Sequence, residues 1–242
     1  MRGNAVKVLF FIPTFNDQQG LPKLVQELLQ AYPESTVLVV DDGSVPAIEL
    51  PLASPAHQVR APLIRLDFNV GLGLVTSVAL DYFNQHGFDV LLRLDADGQH
   101  PLDEIQGLLA PLLKGEADVV WGERTNHLLR SSARQWMGSI TKQSTAWVGR
   151  RVFHSKVRDW FTGFFAINRQ AAEAASTAHL ERYCEVQLLC IFHSRKLRIA
   201  THPVLQLDRQ HGQTSIRWGD GVMIVLRSAL MMVLYALRMH PR

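Results

Sequence analysis

Apolar residues along this chain fall into two alternating kinds of run. Val6 to Phe11, Thr36 to Val40, Leu63 to Leu66, Leu91 to Leu94 and Asp118 to Trp121 are short and nearly continuous, as buried strands are. Between them apolar residues recur at helical spacing, most plainly at Leu21, Leu24, Val25, Leu28 and Leu29. Further helices follow the third strand, to about Asn84, and the fourth, from Leu102 to about Lys114. Strands alternating with helices of this length predict an α/β fold: a single Rossmann-like, mostly parallel sheet flanked by helices. Pro46 to Pro62 interrupts the alternation as a Pro/Ala-rich loop. Residues 1–215 read as one catalytic domain and 216–242 as a C-terminal amphipathic helix.

Each predicted strand stops at a chemically loaded loop. Pro13, Phe15 and Asp17 follow the first; Asp41 and Asp42 the second; Asn69, Gly71 and Gly73 the third; Asp95 and Asp97 the fourth; Gly122 and Arg124 the fifth. In a parallel sheet these loops share the carboxyl edge, where open α/β sheets bind ligands. The central stretch is Leu91-Leu92-Arg93-Leu94-Asp95-Ala96-Asp97-Gly98-Gln99-His100-Pro101. Asp95 and Asp97 read either as a solvated turn or as two hard oxygen ligands for Mg²⁺ or Mn²⁺. Convergence of five loaded loops favours a site. Asp42 could accept hydrogen bonds from a base or ribose, Phe15 could pack on a flat ring, and Gly71 and Gly73 would let backbone approach a ligand. Gly71-Leu72-Gly73 lacks the third glycine of the dinucleotide fingerprint, and no G-x-x-x-x-G-K-[ST] loop exists. A nucleotide whose diphosphate sits on a metal fits better than NAD or ATP hydrolysis.

Composition sharpens this in a few places. With 242 residues, 47% hydrophobic and 19% charged, the chain suits one large α/β domain. A net charge of +3 and pI ≈ 9.0 without a basic run argue against a nucleic-acid partner. Basic residues cluster at Arg130, Arg134, Lys142, Arg150, Arg151, Lys156 and Arg158, either as a solvated helical face or as a surface for anionic head groups or phosphates. Cys184 and Cys190 suggest neither a metal nor a disulfide framework, and the N-terminus lacks the features of a signal peptide, so a cytoplasmic protein is expected. Val222 to Leu237 is almost wholly apolar, but it falls short of the ~20 residues a bilayer span needs and is interrupted by Arg227. Asp220, Arg227 and Arg238 share one helical stripe. That pattern suits a helix in the membrane interface, packed on the domain, or contacting a second copy as a homo-oligomer.

Five ordered segments carry a family resemblance. Ile12-Pro13-Thr14-Phe15-Asn16-Asp17, Val39-Val40-Asp41-Asp42-Gly43-Ser44, Asn69-Val70-Gly71-Leu72-Gly73, Asp95-Ala96-Asp97-Gly98-Gln99-His100-Pro101 and Gly122-Glu123-Arg124 resemble the motifs of family-2, A-type-fold inverting glycosyltransferases. Asp159-Trp160-Phe161-Thr162-Gly163-Phe164-Phe165-Ala166 and Arg209-Gln210-His211-Gly212-Gln213-Thr214-Ser215 continue it. The sequence is most similar to the polyprenyl-phosphate sugar synthases of the dolichol-phosphate mannose synthase type.

The resemblance implies roles position by position. Pro13, Phe15, Asp17, Val40 and Asp42 fall where the family holds the nucleoside, with Phe for the common Tyr and Asp for the common Glu. Asp95, Ala96 and Asp97 match the nucleotide-sugar and metal site, Gln99 a further metal contact, and Arg124 and Arg209 arginines near the phosphates. Ser215 stands where the subgroup usually has Lys, which removes a cation from the loop over the diphosphate. The expected reaction moves a hexose from a GDP-mannose- or UDP-glucose-type donor to a polyprenyl phosphate, at the cytoplasmic face of the cell membrane. A lipid phosphate is already anionic and needs positioning, for which Arg134 is the candidate, with Ser139 nearby. A saccharide hydroxyl would instead need a base, and Asp159 and Glu185 are the candidates. A nucleotidyltransferase or a non-catalytic nucleotide-sugar binding subunit are the readings from other classes.

Overall fold

The computed structural model describes residues 6–51, 55–125, 133–205, 207 and 218–239, with side chains at 133–142, 218–225 and 238–239 excepted. Strand β1 (Val8–Thr14) buries both faces: Leu9 and Phe11 point one way, Phe10 and Ile12 the other, all at 0% exposure. A strand covered on both sides needs an unbroken apolar run rather than alternation, which is what the sequence supplies. It sits inside a seven-stranded sheet with β2 (Thr36–Asp41), β3 (Leu63–Arg65), β4 (Val90–Arg93), β5 (Val119–Arg124), β6 (Phe165–Asn168) and β7 (Ile199–Val204), in the order β3-β2-β1-β4-β6-β5-β7. Only β6 opposes its neighbours, β4 and β5; the other pairings are parallel. The ends of β1 to β5 therefore do lie on one edge.

Strands β6 and β7 are absent from the sequence expectation, for physical reasons. β6 has four residues and runs directly into a helix, too short for a period to register. β7 reads Ile-Ala-Thr-His-Pro-Val, half polar and containing Pro203, which a strand tolerates at the sheet edge that β7 occupies.

Two helical layers cover the sheet. On the face of Phe10 and Ile12 lie α1 (Leu21–Ala31), which buries Leu21, Leu24, Val25, Leu28 and Leu29, and α4 (Ile105–Leu113). Burying each such side chain contributes roughly 1.5–3 kcal/mol. The short α2 (Pro55–Arg60), inside the expected Pro/Ala-rich loop, buries nothing. On the other face pack α3 (Leu72–His86), the end of α5 (Ala133–Phe153), α6 (Arg169–Ser176) and α7 (Glu185–Ser194). Asn168 caps α6 by accepting from the Ala171 amide at 3.0 Å.

Helix α8 (Trp218–Met239), within the expected 216–242, rests on α5 and α7. Met232 and Ser228 are buried beneath it, while Leu226, Val233 and Leu237 face solvent. No described helix is long and apolar enough to cross a membrane.

Candidate active site

The first two loops are fastened to each other. Asn16 donates its amide to Ser44 Oγ at 2.8 Å and accepts from the Val45 amide at 2.9 Å, which joins the ends of β1 and β2. Phe15 stands 40% exposed beside this junction. Asp17 Oδ1 is buried without a hydrogen-bond partner among the described residues, so the site holds an acceptor with unused capacity. Val40 and Ala96 are core residues at 0% and 5% exposure, so their expected nucleoside and donor contacts could come only from main chain.

Asp42 is already engaged within the protein. Its carboxylate accepts from the Val70 amide at 2.7 Å, the Gly71 amide at 3.0 Å and Asn69 Nδ2 at 2.8 Å. Most of its lone pairs therefore hold the β3–α3 loop rather than await a base or ribose. Burial raises its pKa, an effect only partly offset by the Val70 and Gly71 amides. The glycines of that loop also serve the chain itself. A Cβ on Gly71, whose φ is +94°, would meet Arg182 Cγ at 2.6 Å, and one on Gly73 would meet the Glu181 carbonyl at 2.1 Å. Room left by the glycines is filled by the segment between α6 and α7, and Arg182 donates to Asn69 Oδ1.

At the end of β4 the aspartates sit on a buried cation that the sequence reading gave no role. Arg93 is 2% exposed, and its Nη2 lies 3.2 Å from Asp95 Oδ1 and 3.1 Å from Glu185 Oε1. Its guanidinium also lies 5.7 Å over the Phe165 ring. His100 Nε2 contacts the other oxygen of Asp95 at 3.3 Å, its ring stacked on Phe164. Burial opposes ionisation of Asp95, but the charge of Arg93 and the His100 contact outweigh it and hold the carboxyl below the usual carboxylate range. Gly163 makes this packing possible, since a Cβ there would lie 2.5 Å from Asp95 Oδ2. Asp97, 7% exposed, accepts from the Gln99 amide at 3.1 Å. The Gln99 side chain, expected as a metal contact, donates its Nε2–H to the Leu207 carbonyl at 3.3 Å.

At the end of β5, Arg124 makes a two-pronged pair with Asp159, Nε to Oδ2 and Nη2 to Oδ1 at 2.7 Å. Burial works against the Arg124 charge, and the Asp159 carboxylate more than restores it, so its pKa is raised. Asp159 is 2% exposed and also accepts from the Phe161 amide. Both carboxylates expected as candidate general bases carry an ion pair: Asp159 with Arg124 and Glu185 with Arg93. The Arg134 and Ser139 side chains, and Arg209 and Ser215 altogether, lie outside the described residues.

What this edge offers is a pair of carboxylates backed by one buried guanidinium, a second guanidinium beside them, and an exposed ring at the end of the neighbouring strand β1. The family model described as glycosyl transferase family 2 matches residues 10–174. The chain belongs to glycosyl transferase family 2. As a family-2 glycosyltransferase it is an enzyme, which sets aside the nucleotidyltransferase and non-catalytic readings. It is 29% identical over 216 residues to a polyprenol monophosphomannose synthase of Mycolicibacterium smegmatis, covering 85% of this chain and 79% of that one. It is 26% identical over 223 residues to an undecaprenyl-phosphate mannosyltransferase of Micrococcus luteus, covering 88% and 89%. The fold is similar to that of glucosyl-3-phosphoglycerate synthase from Mycobacterium tuberculosis, solved with Mn²⁺, UDP and glucosyl-3-phosphoglycerate. The TM-score is 0.66 at 17% identity, with 96% of this glycosyltransferase and 80% of that chain covered.

Proposed function

We propose that this glycosyltransferase moves a hexose, with inversion, from a nucleotide diphosphate sugar of the GDP-mannose or UDP-glucose type to a polyprenyl phosphate. One observation carries the choice of acceptor. A hydroxyl acceptor needs a base, and the two carboxylates placed for that role, Asp159 and Glu185, are each paired with a guanidinium. A phosphate is an anionic nucleophile already and needs none. The two relatives, named for polyprenyl-phosphate mannosyl transfer, support the same acceptor.

The donor set fits a hard divalent cation, Mg²⁺ or Mn²⁺, through carboxylate oxygens. Asp95, whose oxygens also meet Arg93 and His100, and Asp97 are the proposed carboxylate ligands, with Gln99 as a further contact. When bound, the cation supplies charge stabilisation to the departing diphosphate. Arg124, fixed by Asp159, adds a second, permanent positive charge at that edge, and Arg209 is proposed to add a third. Pro13, Phe15 and Asp17 hold the nucleoside, Phe15 by ring packing and Asp17 through its unused acceptor. Arg134 positions the acceptor phosphate.

The enzyme is peripheral on the cytoplasmic face of the membrane in this reading. Exposed Trp147, with the Arg151 guanidinium 5.7 Å over its ring, and Leu226, Val233 and Leu237 of α8 supply an amphipathic contact face. The test is incubation with Mn²⁺ or Mg²⁺, a panel of radiolabelled GDP- and UDP-sugars, and either polyprenyl phosphate or a saccharide. Label should enter the lipid fraction. Transfer to the saccharide alone would overturn the acceptor assignment.

A further inference from the structure

A cleft of about 1070 Å³ runs between α7 and α8, away from the carboxylates, at the upper end of the ~300–1,000 Å³ of ordinary ligand sites. Leu230, Met231, Leu234 and Tyr235 of α8 form one wall, and Ile191 of α7 with Ala178 forms the other. Leu230 and Leu234 are 60% and 51% exposed, so the free protein leaves this wall wet. An occupant that covers it gains the free energy of removing apolar surface from water.

Charge narrows the occupant. The lining carries Arg195, Lys196 and Arg227 against one acid, Glu181, and that acid already lies 4.0 Å from Arg227. At the Glu181 end Arg227, with neighbouring Arg182, offers cations to an anionic head, whereas Arg195 and Lys196 stand at the far end. The wall therefore suits an anionic amphiphile whose head lies at the Arg227 end. Position narrows it further. Glu181, at one end of the cleft, packs its carbonyl against Gly73 at the start of α3. The next residue, Arg182, donates to Asn69 at the catalytic edge, and Glu185 three residues on meets Arg93 beside Asp95. The other end closes at Ser194, Arg195 and Lys196. From Arg227 to Tyr235 the α8 wall extends about 12 Å.

We propose that this cleft is the tail subsite of the acceptor: the isoprenoid chain lies between α7 and α8, its phosphate end toward Arg182 and the catalytic edge. The inference rests on the polyprenyl-phosphate reading above and adds where the chain sits and what it touches. Isoprenoid length then sets acceptor affinity even without a membrane, because the protein itself buries the first part of the chain.

The experiment uses the full chain in vesicle-free buffer with isopentenyl, geranyl and farnesyl phosphate, each below its micellar concentration. KM should fall by about tenfold or more from isopentenyl to farnesyl phosphate, a gain that burying about two methylenes already brings. In Leu234→Glu, a change at a half-exposed position, that ratio should collapse toward one. Calorimetric binding of farnesyl phosphate without donor is the second measurement, and Leu234→Glu should weaken it about tenfold. Equal KM and equal binding for short and long acceptors would overturn the subsite. So would a length effect that Leu234→Glu leaves intact, or one that appears only when anionic vesicles are added. If no acceptor phosphate is glycosylated at all, the proposed reaction fails, and the calorimetric series still decides whether the cleft takes an isoprenoid.

Discussion

Replacing Arg93 by Met tests the central electrostatic arrangement. The substitution keeps an unbranched side chain of similar length in β4 but removes a guanidinium that is 2% exposed and lies 3.2 Å from Asp95 and 3.1 Å from Glu185. Two carboxylates then remain on a buried edge without their cation. Taking one partner from a buried pair costs about 3–5 kcal/mol, because the remaining charge is left uncompensated. The lower end applies here, since the Asp95 side chain is 36% exposed and keeps His100, whereas Glu185 at 12% has less access to water. We expect a loss of about 3 kcal/mol, or a fall in Tm of roughly 6–12 °C for a chain of this size.

Urea and thermal unfolding at neutral pH, followed by circular dichroism, give that number. A double-mutant cycle supplies the mechanism. Glu185→Gln removes the stranded charge, so the Arg93→Met/Glu185→Gln protein should be more stable than the sum of the single effects by about 1 kcal/mol or more. An Arg93→Met protein within about 1 kcal/mol of the parent, or an additive cycle, would refute the claim that this guanidinium holds Asp95 and the start of α7 together.

Three further outcomes follow. Asp97→Ala should abolish transfer and Mn²⁺ binding measured by electron paramagnetic resonance; full activity would refute the metal assignment. Gly163→Ala places a Cβ 2.5 Å from Asp95 Oδ2, so donor affinity should fall about tenfold or more, and a crystal structure should show Asp95 displaced. His193 is packed between Phe153 and Trp160, and burial pushes its pKa down to about 4. Below the ordinary His value the unfolded chain takes up a proton that the folded one refuses. Stability is therefore complete above about pH 6.5 and declines by roughly 3 kcal/mol as pH falls toward 4. His193→Phe should flatten that decline in urea titrations, and an unchanged pH slope would show that other groups cause it.

The parts of the fold and site that the sequence made legible, and those it hid, differ in range of interaction. β1, β2, β4 and α1 could be read because each satisfies a period within its own residues. Asp95, Asp97 and Arg124 could be placed on one edge because parallel strands bring their carboxyl ends together whatever the contacts are. What could not be read is who pairs with whom. Asp42 looks like a ligand group until Asn69, Val70 and Gly71, about 27 residues on, are seen to use its oxygens. The ion pairs of Asp159 with Arg124 and of Glu185 with Arg93 are likewise invisible in the sequence.

One sign of this was present in the sequence. Arg93 interrupts an otherwise apolar strand, and a charge in the middle of a buried strand is tolerated only when opposite charges meet it. That requirement predicts at least one acidic partner nearby, and Asp95, two residues ahead on the same side of the strand, is the nearest. The buried arginine therefore bears on the site as well as on stability: it fixes where one oxygen of Asp95 stands, and with it one half of the carboxylate pair at the end of β4.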